Sequence, residues 1–146
     1  MFTFKLQSVL DCRKSSEECK LLEFSGKTKE LAHEQEVLER LRKERFALAE
    51  QLRRTAGRVL DADILSLMVS SIKQMLELEK KQKEILRRVA GELENKKEEL
   101  LDAVKDRKSM EMLRDRKFRE FQENLAGRER RQSDETSIAR FVRREP

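Results

Sequence analysis

Thr55-Ala56-Gly57-Arg58-Val59-Leu60-Asp61-Ala62-Asp63 is the one stretch of this 146-residue chain where a helical pattern lapses, and it decides the fold. Gly57 suits a helix C-terminus, where a left-handed residue is tolerated. Asp61 or Asp63 suits the N-cap of a following helix, its carboxylate accepting from free amides. A stop and a start so close together leave room only for a tight reversal, so the flanking helices are antiparallel neighbours.

Upstream of the break, apolar residues stand at Leu6, Leu10, Phe24, Leu31, Leu38, Leu41, Leu48, Leu52 and Val59. Downstream they stand at Leu65, Val69, Ile72, Leu76, Leu86, Ala90, Leu93, Leu100 and Val104, and Phe118, Phe121 and Leu125 continue the seam. Alternating three- and four-residue steps are the spacing of a seven-residue repeat. The expected fold is therefore all-α, a long two-stranded antiparallel coiled-coil hairpin with a C-terminal helical overhang. It is a single coiled-coil domain over residues 1–146, with helix 1 over about 2–57, a turn over about 58–62 and helix 2 over about 63–141.

A turn centred near Leu60 and Asp61 makes the numbers of facing residues sum to about 120 or 121. Leu52 then meets Val69, Leu48 meets Ile72 and Leu31 meets Ala90. Other layers are mixed: Arg45 faces Leu76, Leu41 faces Glu79, Leu38 faces Lys83, Glu34 faces Leu86 and Phe24 faces Lys97. Long basic stems cover apolar surface while their charges reach solvent. Met1 pairs near residue 119 or 120 in this register, so whatever follows has no partner helix.

Composition agrees with long helices. Charged residues make up 43% of the chain, with four glycines, one proline and no Trp or Tyr, too few turn formers for a many-stranded fold. Residues 1–104 hold 21 Lys/Arg against 20 Asp/Glu, whereas residues 105–146 hold 13 against 9, so most of the net charge of +5 lies at the C-terminal end. Acidic residues interrupt every basic run and no Tyr or Trp stacks beside them, so no nucleic-acid partner is expected.

Catalytic chemistry is missing from the pattern. Cys12 and Cys19 lie seven residues apart, on one helix face but about 10 Å apart along the axis, too far for a disulfide. His33 is the only histidine, and the spacing fits no metal site. Gly26, Gly57, Gly91 and Gly127 are isolated, so no loop cradles a phosphate. No catalytic, cofactor or metal-binding residues are expected. Neither a signal peptide nor a membrane-length apolar run is present, so the expectation is a cytoplasmic protein with no direct membrane insertion.

Phe2-Thr3-Phe4-Lys5-Leu6, followed by Val9-Leu10 and Arg13, resembles the opening of the FliJ family of flagellar export proteins. Lys108-Ser109-Met110-Glu111-Met112-Leu113-Arg114-Asp115-Arg116-Lys117 looks like the lysine–glutamate–leucine segment of that family. Arg128-Glu129-Arg130-Arg131-Gln132-Ser133-Asp134-Glu135 resembles its acidic ending, with Ile138, Arg140 and Phe141 behind. The middle of the chain is heptad sequence that many coiled coils share.

The resemblance implies a non-enzymatic component of the flagellar type III export apparatus, peripherally associated with the cytoplasmic face of the membrane at the flagellar base. Its implied partners are the export ATPase hexamer, which the protein enters as a stalk, the export-gate membrane protein, and export chaperones. The overhang residues Phe121, Leu125, Arg128, Arg130, Arg131, Asp134, Glu135, Ile138 and Phe141 are the expected ring contact, apolar area with charges around it. A stripe beside the seam, Met68, Ile72, Met75 and Glu79, is the expected gate contact, since methionines adapt to partner surfaces. The stalk of a virulence secretion system, a generic coiled-coil scaffold and a basic nucleic-acid-binding coiled coil are the competing readings.

Overall fold

The computed structural model describes residues 1–56, 58 and 62–144. Two helices account for nearly all of them, α1 over Gln7–Thr55 and α2 over Ala62–Val142, packed against each other as an antiparallel hairpin with no strand among the described residues. Gly57, Val59, Leu60 and Asp61, which carried the turn expectation, lie outside the described residues. Asp63 falls inside the first turn of α2, so it favours the positive end of the helix dipole rather than capping it.

Helix α1 begins at Gln7, five residues later than expected. Phe2 and Phe4 are both half-buried, a two-residue period that an extended chain puts on one side and a helix does not. The Gln7 amide then donates to the Phe4 carbonyl at 3.1 Å, which turns the chain into the helix. Leu6 precedes the helix and stays 42% exposed, outside the seam.

The chain forms two compact units, a terminal one of Met1–Glu18 with Asp102–Pro146 and a central one of Cys19–Leu101. In the central unit the α1 seam is Phe24, Leu31, Leu38, Arg45 and Leu52 in one column, with Lys20, Lys27, Glu34, Leu41 and Leu48 beside it, all buried or half-buried. On α2 the columns are Leu65, Ile72, Glu79, Leu86, Leu93 and Met68, Met75, Gln82, Val89, Lys96. The second of these lies one residue before the expected one. Val69 and Leu76 are 42% and 47% exposed, and Ala90 is exposed too, while Val89 is fully buried.

The polar layers explain the shift. Glu79 is 4% exposed and accepts from the Arg45 guanidinium, so Arg45 faces Glu79 rather than Leu76. Gln82, 7% exposed, donates from Nε2 to the Glu34 carbonyl at 3.0 Å and to the Glu34 carboxylate, so Glu34 faces Gln82 rather than Leu86. Lys83 and Lys97, expected opposite Leu38 and Phe24, are exposed. A buried polar group costs stability unless it is hydrogen-bonded, and no described buried side-chain polar atom lacks a partner. The register itself holds: Lys20 with Glu99, Glu23 with Lys96, and Lys27 with Glu92 fall within two residues of the expected pairing.

In the terminal unit Leu10 is fully buried, and Ala103, Met110 and Arg114 of α2 are half-buried. Arg107 bridges Glu17 on α1 and Glu111 on its own helix, the latter at 2.7 Å, and Arg13 meets Asp106 at 3.3 Å. Hydrogen bonding to Glu17, then to Glu111, raises the pKa of the Arg107 guanidinium further.

Candidate partner-binding surfaces

Helix α2 continues unbroken through Val142, well beyond the residues that pack on α1. Phe2 marks the limit. Its ring stacks edge-on against Phe118, centroids 5.2 Å apart, and lies tilted against Phe121 at 5.6 Å. Such pairs stabilise by about 0.5–1.5 kcal/mol beyond the area they bury. The aromatic cluster therefore ties the amino-terminal segment to α2 and leaves Phe121 half-buried. A shallow groove borders it, between Phe4 and Leu6 on one side and Leu113 and Asn124 on the other.

From Arg128 to Arg144 every residue is exposed. Leu125 is 44% exposed, Ile138 63% and Phe141 69%, and Arg128, Arg130, Arg131, Asp134 and Glu135 all face solvent. Ion pairing along α2 runs out at Lys117–Glu120, 2.8 Å; beyond it no described residue forms a salt bridge. These charges are thus uncommitted, and the apolar groups among them gain nothing within the chain.

The apolar residues do not form one ridge. Phe118, Phe121 and Leu125 make one group, Ile138, Phe141 and Val142 another, and Leu125 and Ile138 are separated by about 20 Å along the axis. Of the expected ring-contact residues, Phe121 alone is tied into the packed part of the unit, through Phe2.

The expected gate stripe sits elsewhere than beside the seam. Met68, Ile72 and Met75 are half-buried and Glu79 is buried, four successive seam positions of the central unit. What faces solvent next to them is Val69 and Leu76, with Ile64, Leu67 and Leu78 also 47–68% exposed. The sequence signal for those residues was present, since both are apolar at heptad spacing, but it assigned them to the core.

The central unit also carries a closed ring of alternating charges. Lys20 pairs with Glu99 at 3.1 Å, Glu99 with Lys96 at 3.4 Å, Lys96 with Glu23 at 3.1 Å and Glu23 with Lys20 at 3.6 Å. Hydrogen bonds to Lys20 and Lys96 hold the Glu99 and Glu23 carboxyls below the ordinary carboxylate range, and the same bonds raise both lysines. Lys27 and Glu92 shift in the same opposite directions through their own hydrogen bond. These pairs define register rather than a reactive site.

Among the described residues no group of three or more His, Cys, Asp or Glu is placed to hold a metal ion, and Cys12 and Cys19 are both free and exposed. No described helix is long and apolar enough to cross a membrane. Comparison with curated proteins and with solved structures gives no match. The family described as flagellar FliJ protein does match, over residues 1–146, and with its whole length covered the chain belongs to that family.

Proposed function

We propose that the protein is a non-enzymatic stalk of the flagellar type III export apparatus, inserting its C-terminal overhang into the export ATPase ring and contacting the export gate. The observation that carries this reading is the overhang itself: a continuous helix from Leu125 to Val142 whose apolar and charged side chains have no partner within the chain. A lone helix gains little from propensity and is stabilised by packing in a surrounding site. A pore lined by acidic loops would accept Arg128, Arg130 and Arg131, and apolar pockets would take Leu125, Ile138 and Phe141; Asp134 and Glu135 would read basic groups between them.

The proposed gate contact belongs to the same stretch of α2 as Met68, Ile72, Met75 and Glu79. Since those side chains are seam residues, the contact area falls mainly to Val69 and Leu76, with the outer edges of the methionines beside them. Escort of export chaperones is part of the proposal by family membership alone, and so are its placement in the cytoplasm and at the inner face of the membrane.

The deciding experiment is a truncation after Asn124, which keeps Phe118 and Phe121 under Phe2. The shortened chain should retain its helicity per residue and its melting temperature, yet lose binding to the export ATPase and stimulation of ATP hydrolysis together. Stimulation equal to that of the full chain would place the stalk elsewhere.

A further inference from the structure

Phe121, Arg128, Glu135 and Val142 stand seven residues apart on α2 and so make one column along it. Leu125 follows Phe121 by four residues and Ile138 precedes Val142 by four, one on each flank of the column. Read from either end, the spacing is the same. Reversal exchanges Phe121 with Val142, Leu125 with Ile138, and Arg128 with Glu135.

A surface that maps onto its own complement on reversal fits itself across a two-fold axis. We propose that the segment Phe121–Val142 pairs antiparallel with the same segment of a second copy of this chain. The axis passes between Arg131 and Gln132. On either side of it Arg128 of one copy meets Glu135 of the other, and the two apolar groups, far apart within one chain, come together at both ends of the pair. Arg131 reaches Asp134 of the second copy, so the central charges are matched as well.

Charge decides the direction. A parallel pair would set Arg128 against Arg128 and Glu135 against Glu135, which is repulsive in both layers. Exposure supplies the need: Leu125, Ile138 and Val142 are 44%, 63% and 65% exposed, and Arg128 and Glu135 have no ion-pair partner among the described residues. Phe121, already half-covered by Phe2, forms the outer margin. The pair is weak and reversible, because its ion pairs remain solvent-accessible and its apolar area is small. It does not rest on the ring contact, although both use the same residues and therefore exclude each other.

Sedimentation equilibrium of the full chain tests it. The wild type should show a monomer–dimer equilibrium; Arg128→Glu and Glu135→Arg should each weaken the dimer by about tenfold, and the two together in one chain should restore it. In a Cys12→Ser, Cys19→Ser background, Gln132→Cys should cross-link to itself with a short bifunctional reagent. Leu125→Cys should not cross-link alone but should do so when mixed with Ala139→Cys. A chain that stays monomeric up to its solubility limit overturns the proposal. So does a dimer indifferent to the single charge reversals, or one in which Leu125→Cys links to itself.

Discussion

At the scale of single residues, Glu79 shows what the seam costs and what it specifies. Its carboxylate is almost wholly buried, and Arg45 is its partner across the hairpin. Removing one partner leaves a buried charge unpaired, whereas replacing both with apolar side chains of similar volume is often neutral or stabilising. Arg45→Ala should therefore cost about 1–3 kcal/mol, while Arg45→Met with Glu79→Leu should match or exceed wild-type stability in urea unfolding followed by circular dichroism. Equal losses for the single and double variants would mean that the pair contributes net stability. The same scale separates Met68 and Met75 from Val69 and Leu76. Polar replacement of either methionine should lower stability by about 1 kcal/mol, whereas Val69→Gln and Leu76→Gln should leave melting nearly unchanged and reduce motility if the gate docks there. Here the sequence was legible only to within one residue. Val69 and Leu76 are as apolar as the methionines, so hydrophobic spacing alone could not choose between adjacent columns. The tie was broken by Glu79 and Gln82, polar residues whose partners, Arg45 and Glu34, become visible only once the two helices are side by side.

At the scale of elements, the two helices and their antiparallel register were legible because a heptad pattern needs only spacing, and the lapse at Thr55–Asp63 fixed the pairing arithmetic. The start of α1 was not, since the pull of Phe2 towards Phe118 and Phe121 is a contact between residues more than a hundred positions apart. The register predicts a disulfide between Leu48→Cys and Ile72→Cys within one chain, and another between Leu31→Cys and Val89→Cys, in a background free of Cys12 and Cys19. Links forming only between chains would contradict an intramolecular hairpin. The charge ring of the central unit gives this element a pH signature. Glu23, Glu92 and Glu99 have carboxyls held below 4.5, so their contribution is complete above that value and is lost as pH falls through the lowered range. Lys20, Lys27 and Lys96 are raised above 10.5, so their contribution is complete below that value and is lost as pH rises beyond it. The melting temperature should be flat through neutrality and fall at both extremes. Because all six groups are solvent-accessible, added salt should shrink both falls. A transition centred near neutral pH would point to some group other than these.

At the scale of the whole molecule, charge is distributed unevenly: residues 1–104 are nearly neutral, and the last 42 carry four of the five net positive charges. In the central unit and the packed part of the terminal unit, acids and bases are largely spent on each other in cross-hairpin pairs such as Lys20–Glu99 and Arg13–Asp106. In the overhang they are not. The existence of this free segment was legible, because counting outward from the turn exhausts α1 near Met1. The roles of its residues were not, since exposure says what is available and never what arrives. If the arginines there meet acidic loops of the ATPase ring, binding must weaken as salt is added, and in proportion to the number of ion pairs formed. Arg128→Ala, Arg130→Ala and Arg131→Ala combined should then lower the affinity at low salt and flatten its salt dependence, with the melting temperature unmoved because none of the three pairs within the chain. Titrating the ATPase with wild type and triple variant across a salt series separates the alternatives. Parallel curves, with the variant weaker by a constant factor, would mean that the three side chains act through packing. Identical curves would mean that the ring does not touch this part of the helix.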